Sequence, residues 1–299
     1  MDYKVYEAHI TDLCAHIGMP EDKLPEILKI CREICESDEM RSEFLDIQER
    51  FFAGDETREA CFEAGRRHGY EPPFFFALVY MLMYSLHTKE IYEWRRYPMD
   101  VYYDSFIDLV IWSNVSEAQN GYFGIANYGW VSEQVKADMF RIGRLQFHYV
   151  RFGEEEYTHA GVTVKGGDRV INIHIPEGDA LTKEKRLDSY RKAYKFFGQT
   201  GNAVFVCESW LLHSFHREYL GEKSNIVDFM DDFTITSQVD HPAPFGDAWR
   251  VFGFRDSYDP DTLPTDTSLQ RAYVRRLKEG GTVGYANGVF IFDGENILK

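Results

Sequence analysis

Four side chains in the second half of the chain are suited to group transfer: His174, Cys207, Glu208 and Ser209. In the run V-I-N-I-H-I-P (170–176), strand alternation puts Ile171, Ile173 and Ile175 on one face and Asn172 and His174 on the other. A histidine at the C-terminal end of a strand, just before a loop, stands where open α/β sheets bind ligands. The competing reading is a ring satisfied by neighbouring backbone. A second strand, Ala203 to Cys207, runs straight into Glu208-Ser209-Trp210, so Cys207, Glu208 and Ser209 fall at another strand end. His174 and Glu208 are the candidate bases: an unperturbed imidazole titrates near ~6.5, whereas Glu208 needs raising by burial. A Ser or Cys nucleophile on Ser209 or Cys207, served by His174, His213 or His241, is the hydrolase alternative. The G-x-S-x-G glycines of a strained nucleophile elbow are absent, so capping and burial are the expected jobs of Ser209 and Cys207.

Between the two strands lies a candidate anion site. Glu177-Gly178-Asp179 leads to Thr182, a good N-cap, and to a helix over 182–197. From Thr182 to Lys195 there are six basic residues and two acidic ones, in a chain whose net charge is −16. Helix N-termini offer free N–H groups and a positive dipole end. Lysines added there point to a phosphate-bearing ligand, against the plainer reading of a solvated basic face. No Walker A motif and no G-x-G-x-x-G follows a strand, which argues against P-loop and Rossmann nucleotide sites.

The elements that must position these groups divide into two textures. Residues 1 to about 115 have the apolar spacing of helices. Cys31 and Cys35, one turn apart in L-P-E-I-L-K-I-C-R-E-I-C, read as buried thiols rather than as half of a metal site. V-S-E-Q-V-K-A-D-M-F-R-I-G (131–143) reads as a further helix. R-L-Q-F-H-Y-V-R-F then alternates as a strand. V-T-V-K and R-V-I-N-I-H-I-P read as a hairpin about Lys165-Gly-Gly-Asp168. After Ala203 to Cys207, S-W-L-L-H-S-F-H-R-E-Y-L reads as one helix ended by Gly221, with F-T-I-T-S-Q-V and W-R-V-F-G-F as strands. The fold class is α+β / α/β: an all-helical N-terminal domain followed by a mixed-sheet domain with one crossover unit.

Length and charge bound the function. A chain of 299 residues fits two domains at about 150 residues each. The negative charge disfavours nucleic acid and anionic membrane as partners. The apolar run Phe74 to Leu86 is too short to span ~30 Å of hydrocarbon. The start, M-D-Y-K-V-Y-E-A-H-I-T-D-L-C, lacks the apolar core of a signal peptide. Five scattered cysteines fit a reducing cytoplasm better than a disulfide framework.

Several segments in order carry a resemblance: Y-G-W (128–130), F-R-I-G-R-L-Q-F (140–147), V-I-N-I-H-I-P-E-G-D-A-L-T (170–182), V-F-V-C-E-S-W-L-L (204–212), S-N-I-V-D-F (224–229) and L-P-T-D-T-S-L-Q-R-A (263–272). With these the chain resembles the bacterial GNAT-like acyltransferases, which carry a helical N-acyltransferase N-terminal domain, here 1–138, ahead of a GNAT-like C-terminal domain, here 139–299. The resemblance implies acyl-CoA or CoA as co-substrate and no metal. It puts pantetheine along Ile173 to Ile175 and Phe205 to Cys207, and the phosphates over Gly178, Asp179, Thr182, Lys183, Lys185 and Arg186. The leading reading is transfer of an acyl group to a small-molecule amine, by direct attack in a ternary complex because no nucleophile has a convincing neighbouring base in sequence. In that chemistry His174 or Glu208 is the base, and Ser209 or Cys207 protonates the leaving thiolate, with Tyr219 a weaker choice. The usual Q/R-x-x-G-x-G/A phosphate signature is missing after I-N-I-H-I-P. The alternative is therefore a GNAT-shaped binding or accessory protein without catalysis.

Overall fold

The computed structural model describes residues 1–241 and 246–298, and the chain divides into two compact units, 1–141 and 142–299. The first unit is helical: α1 (Tyr3–Ile17), α2 (Leu24–Glu36), α3 (Asp38–Ala53), α4 (Arg58–Arg67), α5 (Phe74–Arg95), α6 (Met99–Asn120) and α7 (Tyr128–Val135). Ser37 closes α2 and caps α3, its hydroxyl accepting from the Met40 amide. The helix α5 is its axis, buried on most sides from Phe76 to Ser85 and packed by Phe44 and Phe51, with Tyr128 against Phe51 in turn. Among the described residues no helix is long and apolar enough to cross a membrane. Cys31 and Cys35 lie on the buried face of α2, and all five cysteines are free and buried.

The helix expected over 131–143 stops at Val135. Ala137 takes a positive φ of 58°, and the chain continues extended as β1 (Met139–Ile142). The remaining elements are β2 (Leu145–Arg151), β3 (Glu156–His159), β4 (Val162–Lys165), β5 (Arg169–His174), α8 (Lys183–Phe196), β6 (Ala203–Ser209), a 3-10 turn (Trp210–Leu212), α9 (Phe215–Tyr219), α10 (Asn225–Met230), β7 (Thr234–His241), α11 (Ala248–Phe252), α12 (Ser268–Lys278), β8 (Val283–Phe292) and β9 (Ile297–Leu298). The main sheet has the order β1-β2-β5-β6-β8-β7, with β9 on β8. β5 and β6 pair in parallel, joined by the α8 crossover, so the expected mixed sheet is present.

Three local readings are corrected. The turn at Lys165–Asp168 forms, but β4 pairs with β3 in a separate ribbon and β5 pairs with β2. The turn is tied to an earlier segment instead, with Gly166 N–H donating to Glu155 O and Gly167 N–H to Phe152 O. W-R-V-F-G-F is not a strand: Ala248 and Phe252, buried and one turn apart, belong to the short helix α11. The long helix after Ser209 is broken at His213, whose Nδ1 accepts from the Phe215 amide.

One face of the sheet is sealed by α8. Tyr190 packs on Phe205, Phe290 and Phe292 at 6.0, 5.0 and 6.1 Å between ring centroids. Burying such rings contributes apolar stabilisation to the unit. The ribbon β3–β4 covers part of the other face, placing Tyr157 and Val164 over Val170, Val204, Val206 and Val289. Strand β8 carries glycines where close approach demands them: a Cβ at Gly284 would lie 1.9 Å from the Val239 carbonyl oxygen.

Candidate functional site

The parallel ladder between β5 and β6 is short. It joins Ile171 to Phe205 and Asn172 to Val206. Beyond it β5 stays paired to β2 through His174, opposite Gln146, and β6 stays paired to β8 through Ser209, opposite Ala286. Each strand keeps its outer partner while the two stop pairing with each other. An opening results, bordered by the backbone of Ile173–His174 on one side and Cys207–Ser209 on the other.

Beside this opening, on the face away from α8, three nitrogens meet. His174 Nε2 lies 3.0 Å from His148 Nε2, and Asn172 Nδ2 lies 3.0 Å from each. The antiparallel register explains the group: His148 is directly opposite Asn172, and His174 is two residues along on the same face. Burial depresses His174 to about 3, with the charge on His148 adding to it, and burial lowers His148 as well. Both rings are therefore neutral at pH 7, ready to accept a proton. Gln146, its side chain buried, stands beside them on the same face.

Strand parity sorts the candidates on β6. Glu208, exposed, shares the face of Asn172 and His174. Cys207 and Ser209 point the other way, into the α8 side. Cys207 is buried and its thiol is pushed up by burial. The Ser209 hydroxyl accepts from the Leu211 amide at 3.1 Å, capping the 3-10 turn. Neither is bonded to a histidine among the described residues. His213 Nε2 lies 2.7 Å from Asp240 Oδ1, His241 lies near the Tyr285 ring, and Tyr219 donates its hydroxyl proton to Glu279. The structure does not assemble a Ser or Cys nucleophile with a base, nor bring Tyr219, Ser209 or Cys207 to the histidine face.

The loop and helix after β5 are partly as expected. Ile173 turns its side chain into the core and leaves its backbone at the opening; Ile175 follows the strand end, half-buried. Gly178 adopts a φ of 150°, a conformation open to glycine. Arg144 holds the loop, donating from Nη1 to Pro176 O at 2.8 Å and from Nε to Asp179 O. Thr182 caps α8 by accepting from the Lys185 amide. Lys183 is exposed, and Lys185 is exposed but paired to Asp179 at 2.7 Å. Arg186 must be withdrawn from the phosphate set. It is fully buried, donating to Asp232 at 2.7 Å, to Asp228 at 2.9 Å and to Leu181 O at 2.9 Å, where it ties α8 to α10. A fully buried guanidinium is retained only when its charge and donors are matched in this way.

His148 was not marked by the sequence argument, although R-L-Q-F-H-Y-V-R-F carries it at the same alternation that marked His174. Only the pairing of β2 with β5 makes the two rings neighbours. A recess of about 330 Å³, lined by Tyr149, Asp168, Arg169, Gln199 and Asn202, lies at the opposite end of β5 and β6 and takes no part in this group. Among the described residues no group of three His, Cys, Asp or Glu side chains is arranged to hold a metal ion.

Residues 8–137 match the N-acyltransferase N-terminal domain family, and residues 139–290 match the GNAT-like C-terminal domain family. No curated protein matches the chain. Among solved structures, an acyltransferase in complex with decanoyl-CoA and teicoplanin is 22% identical, with a TM-score of 0.70, over 97% of this chain and 87% of that one. An acyltransferase in complex with decanoyl-CoA is 21% identical, with a TM-score of 0.72, over 93% and 86%. An acyltransferase in complex with CoA and 10C-teicoplanin is 22% identical, with a TM-score of 0.69, over the same shares. These likenesses bear on the fold. The two domain matches, in order and together spanning most of the sequence, show that the chain belongs to the family of N-acyltransferase-type N-terminal domains joined to GNAT-like C-terminal domains.

Proposed function

We propose that the protein is an acyl-CoA-dependent N-acyltransferase that transfers an acyl group to a small-molecule amine by direct attack in a ternary complex, with 1–138 and 139–299 as its two domains. The observation that carries this reading is the opening between β5 and β6, flanked by a neutral histidine pair and leading to the capped start of α8. The solved neighbours, held with CoA or acyl-CoA, favour the same reading. The residues present fit such a co-substrate. Backbone groups of the strand ends beyond the Asn172–Val206 pair suit the amides of pantetheine. Lys183 and Lys185 suit its phosphates, with the loop from Gly178 to Thr182 between. Bound acyl-CoA supplies a thioester carbonyl for attack and a thiolate leaving group. His174 takes the proton of the attacking amine, and strand amides beside it donate to the developing oxyanion. Glu208, on the same face, is the second candidate base. Five free thiols suit a cytoplasmic site of action.

A second reading is a GNAT-shaped binding protein without catalysis. One observation favours it: the first turn of α8 is already occupied, by the Thr182 hydroxyl on the Lys185 amide and by Asp179 on Lys185. Calorimetry and thermal shift with CoA separate the two together with a product assay. The enzyme binds CoA, gains melting temperature by linkage and forms an amide. The binding protein gives the shift with no amide. No heat and no shift with several acyl-CoAs would remove the co-substrate from both.

A further inference from the structure

We propose that His148 and His174 form a two-ring proton relay, with Asn172 as its positioning residue, that carries the amine's proton from the reaction centre to solvent. The proposal rests on the acyltransfer reading above. Its basis is the triangle of nitrogens. An imidazole Nε2 has a single in-plane position, filled by either a hydrogen or a lone pair. Two Nε2 atoms 3.0 Å apart cannot both present lone pairs, nor both present hydrogens. The rings must therefore hold opposite tautomers, one Nε2–H donating to the other Nε2. Asn172 Nδ2, 3.0 Å from both, carries donor hydrogens only and so holds the two rings together from the side, donating to whichever Nε2 presents the lone pair.

The step balances without any further reagent. His174 begins as the Nε2–H donor, with its lone pair on Nδ1. It takes the amine's proton on Nδ1 while its Nε2 proton passes to Nε2 of His148. His148 releases its own Nδ1 proton to solvent, and one proton has entered as one left. His174 is the inner ring because it lies on β5, which borders the opening; His148 lies on β2, one strand further away. A relay suits this environment because burial makes a lasting imidazolium costly on either ring. Gln146 from β2, Asn172 from β5 and Val206 and Glu208 from β6 share the face of the pair, and Glu208 brings a carboxylate to it.

The test begins with nitrogen-15 NMR of the histidine-labelled protein without ligand. The relay predicts opposite tautomers at residues 148 and 174 and a scalar coupling across one Nε2–H···Nε2 bond, lost in both His148→Gln and His174→Gln. In the amide-forming assay, His148→Gln should lower kcat about 10-fold, leave KM for acyl-CoA unchanged and be rescued by added imidazole; His174→Gln should lose about 100-fold or more. Identical tautomers with no coupling, or a folded His148→Gln with unchanged kcat, would overturn the relay while leaving acyl transfer in place. A coupled pair in a wild-type protein that forms no amide would instead overturn the acyltransfer reading, and the relay's role with it.

Discussion

The two faces of the second unit's sheet are cut from the same strands and differ in kind. Toward α8 stand Phe147, Ile171, Ile173, Phe205, Cys207, Phe290 and Phe292, all buried. Away from it stand His148, Asn172, His174 and Glu208, half-buried or exposed. Adjacent residues on one strand thus have unrelated duties: Cys207 and Ser209 are packing and capping groups, while Glu208 between them faces the histidines. What decides the chemistry of a residue here is its parity on the strand, more than its type.

Four perturbations probe that contrast, from the strongest to the weakest. Acid should act most broadly, because His9, His174 and His216 are held neutral by burial, at about 4, 3 and 3. Their folded values lie below the unfolded 6.5, so they contribute stability above pH 6.5 that is lost as pH falls toward those values. Asp138 and Asp232, raised by burial, oppose the loss only once they protonate. The midpoint of denaturation should therefore fall as pH is lowered from 6.5 toward about 5, and His216→Phe should flatten the slope. Phe205→Ala on the packed face should cost about 3–5 kcal/mol in denaturant titration while turnover per folded molecule persists. Asp232→Ala, which leaves buried Arg186 with Asp228 as its remaining carboxylate, should cost roughly 3 kcal/mol and leave CoA affinity unchanged. Were Arg186 a phosphate ligand, affinity would move as well. Lys183→Glu with Lys185→Glu should do the reverse: unchanged stability, and CoA affinity about 10-fold weaker, measured by calorimetry at two salt concentrations.

The fold was legible where a local rule suffices. Alternation in I-N-I-H-I-P gave the strand and the outward His174, and Thr182 followed by a basic run gave the helix with its cap. Long-range pairing was not legible. A hairpin between β4 and β5 satisfies the local turn rules at Lys165–Asp168, but the amides of Gly167 and Gly166 bond to Phe152 and Glu155, fifteen and eleven residues back, and the strands part. β8 is not among the strands read from the sequence; Gly284 and Gly288 interrupt its apolar run, and those glycines are what lets Val239 and Phe233 approach. Arg186 misled through its neighbours: among lysines on a basic helix it looks solvated, and only the position of Asp228 and Asp232 on another element reveals it as buried. His148 needed the partner strand in the same way.

Acyl transfer at the histidine face is the chemistry proposed for this protein. It is tested most directly by incubating the folded wild type and His174→Gln with acyl-CoA and a panel of small amines, and following free CoA and amide product by mass spectrometry. Amide and CoA are expected in equal amounts from the wild type, with a loss of about 100-fold or more in kcat for His174→Gln at unchanged melting temperature and CoA affinity. Equal turnover by the two proteins, with only the melting temperature lowered in His174→Gln, would contradict it.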